Sequence, residues 1–182
     1  MGVIYTHGAR GTPLRRAPTP AEREALLEAI YRPYHAALES LVAGSIERFG
    51  RCVIIDGPSY PAAAFPYELH PLAPRPAVCL GTLETEQSPE TLVKLFEETV
   101  RGQGLSVARN APFAGSIMPA RYVRHPAVSS IMIETNRGLY LDPVRARRTA
   151  GFPETVALMR LLAEHLAAWL NMNPMPSPET SS

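Results

Sequence analysis

The sequence has 182 residues, of which 46% are hydrophobic and 19% charged, and its formal net charge is +1. This length fits one domain with a sizeable core, and the near-neutral charge offers no basic surface for nucleic acid or an anionic membrane. No apolar run approaches the roughly 20 residues needed to span a bilayer, and the first residues lack the order of a secretory signal. Cys52 and Cys79 lie in apolar runs without a CxxC pattern, which predicts reduced, buried thiols in a cytoplasmic protein.

The N-terminal part of the chain predicts a short strand over residues 2–5 and then a long helix over 20–49. Thr19 and Glu22 have the spacing of a capping box at the start of this helix. Five apolar residues follow at helical spacing and form one apolar stripe: Leu26, Ile30, Tyr34, Leu38 and Leu41. Pro33 lies within the stripe, so we expect the helix to be kinked or divided there.

The rest of the chain alternates between short apolar runs and helical patterns. Unalternating apolar runs predict buried strands near 52–56, 78–81 and 130–134, and a more alternating run predicts a strand near the sheet edge at 105–108. Helices are predicted near 89–102 and 153–170. The sequence therefore predicts a single domain over 1–170, built as a layered α/β/α fold with a mixed, largely parallel sheet. The Pro/Ser-rich segment 171–182 is predicted to be a disordered tail.

Polar residues follow two of the predicted strands. Residues 56–60 come after the first strand, and residues 134–137 come after the last. In layered α/β folds, ligands bind beyond the carboxyl ends of the strands. Both segments are therefore candidates for a functional site.

Five segments of this chain resemble the N-formylglutamate amidohydrolase family, in the family's order. They are Tyr31-Arg32-Pro33-Tyr34-His35, Ile54-Ile55-Asp56-Gly57-Pro58-Ser59-Tyr60, Pro66-Tyr67-Glu68-Leu69, Asn110-Ala111-Pro112-Phe113-Ala114-Gly115 and Ser130-Ile131-Met132-Ile133-Glu134-Thr135-Asn136-Arg137-Gly138-Leu139-Tyr140. The resemblance implies a zinc-dependent amide hydrolase with a fold similar to the zinc carboxypeptidases. The reaction it implies cleaves N-formyl-L-glutamate, or a related N-acyl amino acid, to formate and glutamate in histidine degradation.

Two departures from the family pattern bear on the implied zinc. The chain begins with a segment that resembles the middle of family members, so we expect a fold that is incomplete at its N-terminus and exposes apolar surface on one edge or face of the sheet. Pro58 stands where the family has a histidine, and the proline side chain has no donor atom for a metal. A catalytic zinc ordinarily needs three protein ligands. His7, His70, His125 and His165 are scattered, without the spacing of a metal-binding pair.

Glu134 is the main catalytic candidate, because a carboxylate at the end of a buried strand is costly unless it is paired or used. The resemblance implies that it acts as the general base. Arg137 has the planar fork that suits a substrate carboxylate, although a simple ion pair with Glu134 is equally compatible with the sequence. Asn136 and Asn110 are candidate substrate-binding residues at strand ends, with turn formation as the alternative.

Three further residues are assigned supporting roles. His35 falls at the family's spacing on the kinked helix, as a substrate contact or a structural histidine. Asp56 and Ser59 are expected to contact and position the ligand-binding residues without touching the ligand themselves. We expect the side chains at the strand ends to meet in one cleft: Asp56, Ser59, Asn110, Glu134 and Arg137.

The sequence leaves two functions open. One is an N-formylglutamate amidohydrolase-like zinc hydrolase acting on a small N-acyl amino acid. The other is an inactive remnant or pseudoenzyme that at most binds a small carboxylate ligand. A purely structural interaction domain has no positive signal apart from the Pro-rich tail. Because Pro58 removes a ligand position, the residues favour the second function.

Overall fold

A computed structural model describes residues 4–8, 11–65, 68, 75–83 and 87–173. Its centre is a five-stranded sheet in the order β1-β5-β3-β4, with β2 also paired to β5. The strands are β1 (Cys52–Asp56), β2 (Ser59–Tyr60), β3 (Val78–Thr82), β4 (Val107–Arg109) and β5 (Val128–Asn136). β1 and β2 run parallel to β5, and β4 runs parallel to β3, whereas β3 and β5 are antiparallel. The predicted mixed, largely parallel sheet is confirmed, with β4 at the edge.

Helices surround this sheet at nearly the predicted positions. They are α1 (Pro20–Leu26), α2 (Arg32–Phe49), α3 (Glu90–Gly102) and α4 (Phe152–Met172), and 3-10 turns cover Ala120–Tyr122 and Arg137–Leu139. A small hairpin pairs β6 (Leu141–Asp142) with β7 (Arg147–Arg148). No helix in the described part of the chain combines the length and apolar character needed to cross a membrane.

Side-chain alternation along β5 gives the sheet two different faces. Ile131 and Ile133 pack with Phe96 of α3 and Leu158 of α4, so we refer to this side as the α4 face. The opposite side, here the α2 face, carries Val128 packed with Val42 of α2, and Ile54 of β1 and Tyr122 belong to the same cluster. Glu134 and Val128 are separated by an even number of residues along β5, so their side chains point to the same side of the sheet, the α2 face.

The long N-terminal helix is divided, as predicted. The capping box at Thr19 is present, and a π-helical turn over Leu27–Tyr31 separates α1 from α2. Pro33 causes this irregularity because it has no N–H to donate and its ring clashes with the carbonyl four residues earlier. The N–H of Arg32 accordingly bonds to the Leu27 carbonyl, five residues back.

The predicted apolar stripe on this helix is not its buried face. Ile30, Tyr34 and Leu41 are 68%, 57% and 72% exposed, and Val42 is the buried residue of α2. The π turn shifts the residues before it relative to α2, and within α2 the buried face passes through Val42 rather than Leu41. Ile55 on the edge strand β1 is 39% exposed.

The two chain ends differ from their predictions. Within the predicted strand 2–5, Ile4 and Tyr5 are not in a strand, and residues 2–3 lie outside the described residues. The helix α4 continues through Met172 into the predicted disordered tail, of which 174–182 lie outside the described residues. The Arg51 guanidinium donates to the carbonyls of Leu170 and Asn173, and these bonds satisfy the acceptors that every helix leaves free at its C-terminus.

Both cysteines are free, as predicted. Cys79 is fully buried opposite Glu134, and its thiol donates to the Phe113 carbonyl at 3.1 Å. Burial raises the pKa of the Cys79 thiol, so it stays protonated and is a poor nucleophile. Cys52 is half-buried rather than buried.

Candidate active site

Glu134 lies near the carboxyl end of β5, directly opposite Cys79 on β3. The residue is only 9% exposed, and its Oε2 atom has no hydrogen-bond partner within the described residues. The preceding apolar residues hold β5 in the middle of the sheet, so the carboxylate is presented by a rigid element. A buried carboxylate oxygen without a partner is uncommon in folded proteins and marks a candidate functional group.

Burial raises the pKa of Glu134 from its ordinary 4.5 to about 7. The positive charge of Arg75 opposes this increase, the carboxylates of Asp56 and Glu68 add to it, and Arg137 opposes it more weakly. Near neutral pH the side chain therefore exists in both protonation states. Such a group can accept or donate a proton with little cost, as general acid–base chemistry requires.

A buried ion pair between Glu68 and Arg75 lies in the same cluster. The distance between Arg75 Nη2 and Glu68 Oε2 is 2.5 Å, and the two side chains are 3% and 6% exposed. The Arg75 guanidinium lies 4.7 Å from the ring centre of Tyr60 and 5.3 Å from that of Phe113. Sequence reasoning missed Arg75, because a single arginine between two prolines gives no signal of the long-range contacts that it makes.

Arg137 and Asn136 follow Glu134 directly. Arg137 Nη2 donates to the Ser59 carbonyl at 3.3 Å, and its Nε is buried without a partner among the described residues. The Asn136 side chain accepts from the Gly138 N–H at 2.9 Å and donates to the Pro76 carbonyl at 3.2 Å. Asn136 thus stabilises the turn that carries Arg137. Turn formation is the alternative to substrate binding that the sequence left open for this residue.

The structure brings two of the predicted residues together with Glu134. Asp56 pairs with Met132, lies on the α2 face and acts electrostatically on Glu134, as does Arg137. Ser59 pairs with Thr135, and this register places its side chain on the α4 face. One cleft shared by all five side chains stays a prediction.

Asn110 and His35 make contacts of their own. Asn110 follows β4, two strands from β5, where its side chain accepts from the Thr82 N–H and donates to the Thr82 hydroxyl, both at 2.8 Å. Because β3 and β5 are antiparallel, their carboxyl ends do not meet at one edge. His35 stacks on Tyr31 and Tyr34 on α2, with ring centres 4.2 and 5.3 Å away.

A separate open groove of about 470 Å³ lies on the α4 face. Pro58 and Ser59 line it together with Met159 and Arg160 of α4. Pro58, which stands where the family has a histidine, thus borders this groove. The Glu134 carboxylate lies on the other side of the sheet.

The described residues do not fit a zinc ion. None of them forms a group of three or more His, Cys, Asp or Glu side chains that could hold a metal. Each described histidine has another contact: His7 with Thr6, His35 with its tyrosines, His125 with the Ala127 N–H and His165 with the Thr99 hydroxyl. His70 lies outside the described residues.

Comparison with known protein families gives a match over most of the chain. A family model described as N-formylglutamate amidohydrolase matches residues 1–141. The chain belongs to the N-formylglutamate amidohydrolase family. The resemblance noted on the sequence motifs is therefore confirmed for most of the chain.

Two solved structures share the fold. The N-formylglutamate amidohydrolase from Ralstonia eutropha JMP134 is 30% identical, with a TM-score of 0.81, and the match covers 94% of this chain and 62% of that one. The gene product Atu2144 from Agrobacterium tumefaciens is 18% identical, with a TM-score of 0.63 over 91% of this chain and 62% of that one, and supports the fold alone. The chain thus spans about three fifths of the length of these structures. Comparison with curated proteins gives no match.

Proposed function

We propose that this family member binds a small carboxylate, such as an N-acyl amino acid, beside Glu134 and does not hydrolyse it. The observation that carries the proposal is a set of buried polar atoms without partners in the described residues: Glu134 Oε2, Arg75 Nε and Arg137 Nε. Unsatisfied buried groups are costly, and a polar ligand removes that cost by bonding to them. The set contains donors and an acceptor, which suits a ligand that carries both kinds of group.

Arg137 is the proposed carboxylate-binding residue. Its Nη2 is bonded to the Ser59 carbonyl, which orients the guanidinium and leaves its other donors for a ligand. An arginine fork matches the two oxygens of a carboxylate. Glu134 favours such a ligand while it is protonated, because a neutral carboxyl group can donate to an anion, whereas the ionised form repels it.

We propose that the ligand is not hydrolysed because the described side chains do not provide the ligands that a zinc ion needs. Pro58 supplies no metal ligand, and the described histidines are held apart by their own contacts. Water has a pKa of about 15.7, and a bound zinc ion is what lowers this value to about 7 in metallohydrolases. Without such an ion, Glu134 has neither an acidified water nor a polarised carbonyl to act on, and general-base assistance alone supplies only part of the rate enhancement.

The test is to incubate the purified chain with zinc and N-formylglutamate and to measure formate release. We expect no release above that of Glu134→Gln, less than stoichiometric zinc by metal analysis, and ligand binding in roughly the millimolar range by calorimetry. Arg137→Met is expected to weaken binding at least tenfold. Arg160→Met, on the α4 face, is the matched control and is expected to bind as the unmodified chain does.

A second candidate function is a zinc-dependent amide hydrolase whose ligands include residues outside the described ones. The observation in its favour is the pKa of about 7 at Glu134, which suits a general base at neutral pH. Formate release that requires zinc and is lost in Glu134→Gln would overturn the first proposal and establish this one.

A further inference from the structure

Arg75 has the most extensive contacts of the charged residues around Glu134. It bonds to both carboxylate oxygens of Glu68 and donates to the Pro61 carbonyl at 3.0 Å. Its guanidinium lies over the rings of Tyr60 and Phe113, an arrangement that stabilises a desolvated cation. These contacts join the segment after β2 to the loop after β4.

The two aromatic residues that hold Arg75 are themselves anchored on both sides of Glu134. Tyr60 pairs with Asn136 on one side of β5 and its hydroxyl donates to the Pro76 carbonyl. Phe113 accepts from the thiol of Cys79, the residue paired with Glu134 on the other side. Arg75 is thus fixed over the same stretch of the α2 face that presents the carboxylate.

We infer that Arg75 is a positioning residue, whose buried and rigidly held charge stabilises the ionised form of Glu134 and so sets the pH range in which the site binds a carboxylate. Its link to ligand binding rests on the function proposed above, whereas its effect on Glu134 does not. Glu68 is the partner that keeps the Arg75 guanidinium in place. An Arg75→Lys change keeps the charge but loses the paired bonds and the flat stacking surface.

The groups that act electrostatically on Glu134 come from several strands and connections of the sheet. They are Asp56 on β1, Tyr60 on β2, Glu68 and Arg75 in the connection to β3, Cys79 on β3 and Arg137 after β5. Among the charged ones, Arg75 has the largest effect on the pKa of Glu134. Removal of its positive charge therefore raises that pKa even if the negative charge of Glu68 is removed as well.

The experiment follows the carboxyl carbon of Glu134 by NMR through a pH titration of the full chain, with the signal assigned by Glu134→Gln. We expect a midpoint near 7, an increase of about one pH unit or more in Arg75→Met, and a smaller increase in Arg75→Lys. Arg109→Met is the matched control, because Arg109 pairs with Glu90 and Glu97 at the far edge of the sheet. It is expected to leave the midpoint unchanged.

Arg75→Met leaves Glu68 buried without its partner and can prevent folding, so the double variant Arg75→Met with Glu68→Leu is measured alongside it. An unchanged midpoint in either folded variant, or an equal change in Arg109→Met, would overturn the inference. If the midpoint changes as expected but N-formylglutamate does not bind the unmodified chain, the proposed function fails and the role of Arg75 stands.

Discussion

Gly81→Ala is expected to destabilise the domain by about 3 kcal/mol, the upper end of the usual cost of overpacking a core. A Cβ atom at Gly81 would lie 2.1 Å from the Gly115 carbonyl oxygen and 2.4 Å from the Met132 Cε atom. The methionine side chain can rotate away, but the carbonyl belongs to the backbone of the loop that crosses β3. This loop also carries Phe113, so the change is expected to loosen the contact between Phe113 and Arg75 as well.

The measurement is urea unfolding followed by circular dichroism. Gly44→Ala is the matched control, because a Cβ atom there meets nothing within 4 Å and Gly44 lies within α2. Alanine is the better helix former, so this variant is expected to gain about 0.5–1 kcal/mol. A Gly81→Ala protein as stable as the unmodified chain would show that the loop does not press on β3.

Glu134→Gln is expected to stabilise the protein by about 2 kcal/mol at pH 8 and to have little effect near pH 4.5. The folded pKa of about 7 exceeds the ordinary value of 4.5, so the folded state holds more protons than the unfolded state between these values. Stability therefore falls as the pH rises through this window and stays lower above pH 7. The full interval of about 2.5 pH units is worth at most about 3.4 kcal/mol at 1.36 kcal/mol per unit.

Urea unfolding between pH 4.5 and 8.5 provides the measurement, with exposed Glu47→Gln on α2 as the control for the loss of one acidic side chain. The glutamine variant is expected to lose the fall in stability between pH 4.5 and 7, whereas Glu47→Gln keeps it. A Glu134→Gln protein that is less stable at pH 8 would mean that the ionised carboxylate is held favourably in the fold. A residue that is retained at a cost in stability is typical of functional sites.

The fold was largely predictable because its strands are short apolar runs with few alternatives. The apolar run 130–134 is typical of a strand that is covered on both faces at the centre of a sheet. The observed β5 extends this run by two residues at each end. The direction of β3 relative to β5 was not predictable, because the sequence of a strand does not show whether it pairs in parallel or antiparallel. This choice separates Asn110 from Glu134.

The candidate site was predictable where its residues follow directly after predicted strands, as Asp56, Glu134 and Arg137 do. Glu134 and Arg137 are three residues apart at a strand end, so one pattern contains both. The contacts of Arg75 with Tyr60 and Phe113 join segments far apart along the chain and depend on the folded sheet. The apolar stripe predicted for the long helix is not its buried face for a different reason, since apolar side chains on both sides of α2 leave the choice between Leu41 and Val42 to the packing against the sheet.

The bonds from Arg51 to the end of α4 connect the residue before β1 with the last helix of the described chain. These bonds join the start of β1 to the end of α4, whereas no corresponding bond ties α1 to the sheet among the described residues. Val42 is the single fully buried residue within α2. Local unfolding of residues 20–49 therefore exposes little buried apolar surface and costs little free energy. The amide hydrogens of this segment are accordingly expected to exchange with solvent through local unfolding, well before those of β5.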